Sequence, residues 1–558
     1  MPKPRRPLPT APAWAGSAAA PWQGTRPRAA DRRRRAALAL AAALLALPAL
    51  PAAAQRSPDA LVLGYAAAVT TIDPHYHNLG PNNAMGQHIF DRLVERDGRA
   101  RPHPSLAESY RALSDTVWEF KLRRGVTWHD GRPFTADDVV FTFARVPEVP
   151  NSPGGFGGFL RAIERTEVVD AHTLRIHTRQ PHPLLPLDLA SVSIIARHAA
   201  EGAQTEDYNT GKAAIGTGPY RLAAYRSGDR VELARNDAWW GPREPWSRVT
   251  VRFLLNDGAR TAALLAGDVD LIEQIPTTDI ARLKRDPKVV VTEIPSLRTV
   301  FLSPDYSRTG ANPLVTDNAG TPLPRNPFLD VRVRKALSMA INRDALVERA
   351  MDGAAEATAQ WLPRGAFGFN PDAKPTGFDP DGARRLLAEA GFPEGFRLTL
   401  ATPNDRWPND ARLSQAVAQM WTRIGVRTQV DAMPFTAFVP RRSRQEHAMQ
   451  LGAWGSSTGE ASNYLLAIVS TFDRQRLTGA SNMTRHSDPV IDDLLQRGAA
   501  TMDDEQREAI WREAVAYYAK QEPMIQLLQY VNTWAHRRGL AHDPRMDERT
   551  LALGVRPK

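Results

Sequence analysis

The 558-residue chain contains no cysteine. Disulfides, thiolate metal sites and cysteine nucleophiles are therefore excluded, and so is a lipid anchor attached through a cysteine behind an export signal. Long apolar runs are nearly absent as well. Only Ala36 to Pro51 stands out, and it is too short to span a bilayer comfortably. Acids are scarce at the N-terminus. Residues 1–54 hold nine Lys and Arg against one acid, Asp31, so this stretch carries +8 of the formal +10 and leaves the remainder with +2. The body thus has no strong electrostatic reason to bind nucleic acid.

What is present begins with an export signal. Arg32 to Arg35 form a basic segment, Ala36 to Pro51 an apolar one, and Ala52-Ala53-Ala54 a small-residue cleavage site, which predicts a signal peptide over 1–54 cut before Gln55. Adjacent arginines are compatible with the general secretory or the twin-arginine route. The mature chain is expected to be soluble, periplasmic and monomeric. Its length exceeds one ordinary core and predicts two or three lobes.

Apolar alternation in Trp118-Glu119-Phe120-Lys121-Leu122 predicts a half-buried strand. Thr135, with Asp138 three residues on, predicts a capped helix start. A helix is expected over Met85 to Val94 and a mobile Gly-rich loop over Asn151 to Gly158. From 330 to 530 helices dominate. Asp330, Asn342 and Asp379-Pro380 mark helix starts. Strand 397–401, helix 410–424 and strand 426–430 form a β-α-β unit, which favours a mixed α/β lobe. Ile525 to Trp534 returns to a strand, so the chain leaves one lobe and comes back to it, the connectivity of a hinged cleft.

The string Trp118 to Phe141, which includes Arg124-Gly125-Val126-Thr127-Trp128-His129-Asp130-Gly131, resembles the signature of the family 5 extracellular solute-binding proteins of ABC importers, the peptide, nickel and glutathione group. Gly216-Thr217-Gly218-Pro219-Tyr220, Trp239-Trp240-Gly241, Ala266-Gly267-Asp268-Val269-Asp270 and Val331 to Ala336 are similar to further family segments in the expected order. The resemblance implies an α/β fold like the type II periplasmic-binding proteins, with mixed-sheet lobes joined by a hinge. Lobe I would comprise 55–92, 193–296 and 523–558, lobe II 93–192 and lobe III 297–522. Ligand would lie between lobes I and III, and closure would present a surface to membrane permease subunits.

Several polar clusters invite chemistry. His129-Asp130 reads as a turn and capped helix start rather than an acid/base pair. His75-x-His77 has no acidic or cysteine partner at ligand spacing; the resemblance places His77 near the cleft as a ligand contact. No metal or other cofactor is called for. Gly455-Ser456-Ser457-Thr458-Gly459 matches the G-x-S-x-G turn of serine hydrolases, with Asp473 and His486 following in triad order, although no HGGG-type segment lies upstream. A periplasmic hydrolase using Ser457 is the alternative function.

The resemblance explains that segment differently, as the ligand-facing loop. Dipeptide-binding members carry an aspartate there that pairs with the ligand's amino terminus; Ser457 takes its place here, and the Ser-Thr-Gly-Glu-Ala string is similar to the glutathione-binding branch. It implies ligand contacts from Trp454, Ser456, Ser457 and Thr458. Glu460 either meets a ligand ammonium or orients the loop. Arg406 aligns with an arginine that grips the ligand carboxylate, a task suited to a guanidinium fork, or is a solvent-exposed loop arginine. Arg298 is a second candidate, and Trp407 with Trp454 would wall the pocket. The expected function is capture of a short peptide or peptide-like solute, glutathione-like by the loop, without catalysis.

Overall fold

A computed structural model describes residues 57–475 and 478–558; the signal peptide read over 1–54 lies outside them. Asp59–Lys558 forms one compact unit. It opens with β1 (Ala60–Tyr65) and α1 (Gly80–Ile89). This helix starts and ends five residues earlier than the sequence suggests. Pro81 is preorganised for a first helical turn, Phe90 is already extended, and Val94–Arg96 is a short strand.

A four-stranded antiparallel sheet follows, from β2 (Ala107–Ser114), β3 (Val117–Leu122), β4 (Ile163–Asp170) and β5 (Thr173–Thr178), in the order β2-β3-β5-β4. Between β3 and β4 lies α2 (Ala136–Arg145), opened by the Thr135/Asp138 capping box that the sequence shows. Trp128, Phe134 and Val139 pack with Phe120, Leu174 and Ile176 in one core. The 151–158 segment is tied down rather than loose: Asn78 N donates to Gly154 O at 2.8 Å and Ser152 Oγ to Tyr76 O at 2.5 Å.

Elsewhere a single large mixed sheet carries the chain. Its first half is built by β6 (Tyr220–Arg226), β7 (Arg230–Arg235) and β8 (Arg248–Phe253), the last parallel to β1. After α3 (Asp257–Ala266) come β9 (Leu271–Glu273) and α4 (Thr277–Arg285). The sixteen-residue β10 (Val289–Pro304) then enters the second half. That half contains α5 (Val331–Met339), α6 (Pro380–Glu389), β11 (Phe396–Pro403), α7 (Asp410–Thr422), β12 (Val426–Met433), α8 (Phe435–Ser443) and β13 (Met449–Gly455). Parallel pairing of β11 with β12 across α7 is the β-α-β unit the pattern predicts. Two late helices, α9 (Pro489–Ala500) and α10 (Asp504–Gln521), precede β14 (Ile525–Arg537).

The strand order β11-β13-β10-β14-β9-β1-β8-β7-β6 puts β10 and β14 in the middle. They pair antiparallel from Val289↔Arg537 to Leu302↔Ile525, so these two strands join the halves of the sheet. Each half has its own core. Leu61, Leu63, Tyr220, Val249, Trp246 and Trp534 belong to one; Val300, Leu337, Leu400, Trp421, Met449 and Leu527 belong to the other.

One contact shows why the Gly216-Thr217-Gly218 segment needs glycine. A Cβ on Gly216 would lie 1.7 Å from Ile89 O at the end of α1. Without it, Gly218 N bonds to that same carbonyl at 3.0 Å.

Candidate ligand-binding site

Where β10 and β14 cross between the two halves, the structure holds a cavity of about 460 Å³. Arg298 reaches it from β10, Tyr530 and Trp534 from β14, Arg406 and Trp407 from the turn between β11 and α7, and Glu548 from the C-terminal segment. Three of the sequence candidates, Arg298, Arg406 and Trp407, are thus brought together.

The β11–α7 turn is fixed from its helix. Asp410, buried at the start of α7, accepts from the backbone N–H groups of Arg406 (3.2 Å) and Trp407 (3.1 Å). Asn409 is in the left-handed region at φ 57° and donates to Ala350 O (2.9 Å) and Thr277 Oγ1 (3.1 Å), which ties the turn to α4. The Trp407 ring packs against Phe435 at 5.9 Å, and the Arg406 guanidinium lies 5.2 Å from the same ring's centroid. Arg406 has no ion-pair partner among the described residues. Burial, then the like charge of Arg298, lower its pKa.

Arg298 is differently placed. Its Nε and Nη2 donate to Glu548 at 2.8 and 2.9 Å. It also sits beside the 455–460 loop. Arg298 pairs with Gly455 across β10 and β13, and a Cβ on Gly455 would come within 2.9 Å of its Nη2. A side chain there would displace the guanidinium.

The loop itself is hydrogen-bonded inward. Asn463 Nδ2 donates to Ser457 Oγ at 2.9 Å, and Asn463 Oδ1 accepts from Trp454 Nε1 at 2.9 Å. Gly459 N donates to Ser456 Oγ at 3.0 Å, and Thr458 Oγ1 accepts from Glu460 N at 3.4 Å. Arg96 donates to the Ser457 carbonyl while its Nη2 holds Ser191 Oγ at 3.1 Å. Burial, together with neighbouring Arg549 and Arg92, lowers the Arg96 pKa to about 9.

Trp454, Ser456, Ser457 and Thr458, expected as ligand contacts, do not line this cavity, and two further expectations are redirected. The Glu460 carboxylate turns away from the cavity into α10, where it accepts from Trp511 Nε1 (3.0 Å) and Arg507 Nε (3.4 Å); burial pushes its pKa up to about 7. Of the two roles open to it, orienting the loop is the one this geometry serves. His77 does not line the cavity, because its backbone forms a bridge with Gly154. The hydrolase alternative lacks its relay. Ser457 Oγ is partnered by Asn463, whereas the His486 ring stacks edge-on against Tyr306 at 4.9 Å, with a buried Nδ1 that has no hydrogen-bond partner. His129 is structural, as expected. Its Nδ1 accepts from Gly216 N (3.2 Å) and its Nε2 bonds Gly218 O (3.0 Å).

Sequence reasoning missed Glu548, Asn409, Asn463 and Arg96. For Glu548 the only local signal was the charged run Arg545-Met546-Asp547-Glu548-Arg549, which reads as a solvated tail.

Comparison with known proteins places this geometry. The chain is 28% identical over 476 residues to heme-binding protein A of Haemophilus influenzae, covering 79% of this chain and 82% of that one. It is 26% identical over 511 residues to the dipeptide-binding protein of Escherichia coli K12 (86% and 91%). It is 27% identical over 526 residues to the glutathione-binding protein GsiB of the same strain (92% and 96%). The structure of HbpA2 from Haemophilus parasuis superposes with a TM-score of 0.76 at 25% identity, over 89% of this chain and all of that one. The fold is that of the type II periplasmic-binding proteins. Residues 101–475 match the model of the bacterial extracellular solute-binding proteins, family 5, and the chain belongs to that family.

Proposed function

We propose that this chain is the periplasmic solute-binding component of an ABC importer, that it acts as a monomer without catalysis, and that it delivers a short peptide or peptide-like solute to inner-membrane permease subunits. The observation that carries this is Arg406, a guanidinium in a cavity between two halves of the sheet with no ion-pair partner among the described residues. An exposed guanidinium at that place suits a ligand carboxylate, which its planar fork can bind with two hydrogen bonds. Trp407 supplies an apolar wall beside it, and Arg298 borders the loop Trp454–Thr458 through Gly455. These residues would contact the solute; Glu460 would shape the loop from behind. Lobe I (55–92, 193–296, 523–558), lobe II (93–192) and lobe III (297–522) would close on the solute about β10 and β14.

The finer reading is a glutathione-like solute. It rests on the hydroxyl-bearing loop, where Ser457 stands in place of the aspartate of the dipeptide-binding members, and on similarity along the whole length of GsiB. The curated relatives also include proteins named for heme and dipeptides, so the experiment compares these classes. Residues 55–558 are screened by thermal shift against glutathione, dipeptides, longer peptides, heme and nickel chelates. A saturable rise in Tm with a carboxylate-bearing peptide is expected. A rise with heme or a nickel chelate alone would overturn the peptide reading.

A further inference from the structure

Along α7 the structure has a second cleft, of about 550 Å³, and none of its lining residues lines the cavity that holds Arg406. One wall comes from Arg412, Gln415, Ala416, Gln419, Met420 and Arg423. Their spacing of i, i+3, i+4, i+7, i+8 and i+11 puts them on a single face of the helix. The other wall comes from Arg349, in the π-helical turn Leu346–Ala350, and from Phe378, Pro380 and Arg384 where α6 begins. Such turns are rare and gather at functional sites.

Four arginines therefore line this cleft, and no Asp or Glu does. The chain beyond residue 54 carries only +2 overall, so the cleft concentrates positive charge. Two of the four are partly neutralised from outside it. Arg384 Nη1 donates to Asp381 Oδ1 at 2.9 Å, and Arg412 Nη1 to Asp352 Oδ2 at 3.0 Å. Both arginines are about half exposed, and pairs of that kind hold weakly. Arg349 and Arg423 are exposed, and their side chains have no hydrogen-bond or ion-pair partner among the described residues. Phe378 is 51% exposed and gives the cleft an aromatic surface beside its charges.

The arrangement discriminates between anions. The two oxygens of a carboxylate are filled by one guanidinium fork. A phosphoryl group presents three acceptor oxygens and up to two charges, so it serves more than one fork. Arg412 and Arg423 lie about 16 Å apart along the helix axis, which spreads the positive charge over more length than one phosphate covers. We propose that this cleft is a second binding site, for a diphosphate ester whose ring-bearing body lies on Phe378. Gln415 and Gln419 would add amide donors between the arginines. The proposal goes beyond the importer reading and does not depend on it, because the solute cavity takes no part.

The test is calorimetric titration of residues 55–558 with inorganic pyrophosphate and with ADP. Salt is held at 150 mM, where diffuse attraction between exposed charges is screened beyond about 8 Å. Both ligands should bind saturably at one site, ADP the more tightly. Arg349→Ala/Arg423→Ala should weaken both by at least about tenfold with Tm unchanged, since neither side chain has a partner to lose; Arg349→Gln/Arg423→Gln replaces it if that variant does not fold. Phe378→Ala should bring ADP down to the level of pyrophosphate and leave pyrophosphate as it was. Arg406→Ala should bind both as the wild type does. The proposal is overturned if the wild type binds neither ligand, or if binding survives the double variant and is lost in Arg406→Ala, which would put the anion in the solute cavity. Sedimentation with phosphatidylglycerol vesicles that requires Arg349 and Arg423, without binding of either soluble ligand, would overturn it in favour of a lipid surface.

Discussion

Arg298 and Glu548 lie 250 residues apart in sequence and meet through two hydrogen bonds of 2.8 and 2.9 Å in the wall of the cavity. The pair has a consequence for the cations lining the cavity. Of the two arginines the sequence nominates, Arg298 is neutralised by its partner and Arg406 is not. Gly455 belongs to the same arrangement, because the guanidinium occupies the space its side chain would fill.

Ester hydrolysis separates the binding reading from the serine-hydrolase alternative. With Ser457 Oγ held by Asn463 and no imidazole bonded to it, wild-type protein and Ser457→Ala should show the same rate with p-nitrophenyl acetate, at the level of a buffer control. Turnover that disappears in Ser457→Ala would contradict the structure's assignment of that hydroxyl.

Glu460 makes stability depend on pH in a defined window. Its folded pKa of about 7 lies above the ordinary 4.5. Between those values the folded chain retains a proton that the unfolded chain has released, so its contribution is fully present below about 4.5 and is lost as pH rises through about 7. The loss is on the order of 3 kcal/mol. Glu460→Gln keeps an acceptor for Trp511 Nε1 and removes the titration. The Tm of the variant minus that of the wild type should therefore grow from pH 5 to pH 8 and then level off. Parallel curves would contradict the burial of that carboxylate.

Gly216 tests the joint between α1 and the 216–218 segment. A Cβ would sit 1.7 Å from the Ile89 carbonyl oxygen, a clash with backbone that no rotamer relieves. Gly216→Ala should lose about 3 kcal/mol or more in urea unfolding. A wild-type midpoint would show that the segment packs elsewhere.

Much of the architecture was legible because it rests on local chemistry. Thr135 and Asp138 form the box their spacing announces, Asp330 and Asn342 cap the helices they precede, and β11–α7–β12 follows its hydrophobic periods. The helix at Met85 was misplaced because its apolar residues run on past Phe90, where the chain turns extended to enter the Val94–Arg96 strand. The site was legible in part. Arg406 and Trp407 sit in a strand-to-helix turn, where a binding residue is exposed by topology. Glu548 was invisible because its place in the cavity wall depends on a left-handed backbone near the C-terminus and on partners contributed by β10. Glu460 could not be assigned because only the packing of α10 decides which way its carboxylate points.

The most direct test of the central claim is whether Arg406 reads the solute's carboxylate. Calorimetric titrations would compare the peptide found by the thermal-shift screen with its C-terminal amide, in wild type and in Arg406→Ala. Arg406 is exposed and has no ion-pair partner among the described residues, so the variant should keep its Tm within a few degrees. The account predicts that amidation weakens wild-type binding by about 10- to 100-fold and changes Arg406→Ala by less than about threefold. Amidation that costs both proteins the same would show that the carboxylate is received elsewhere, and would contradict the site described here.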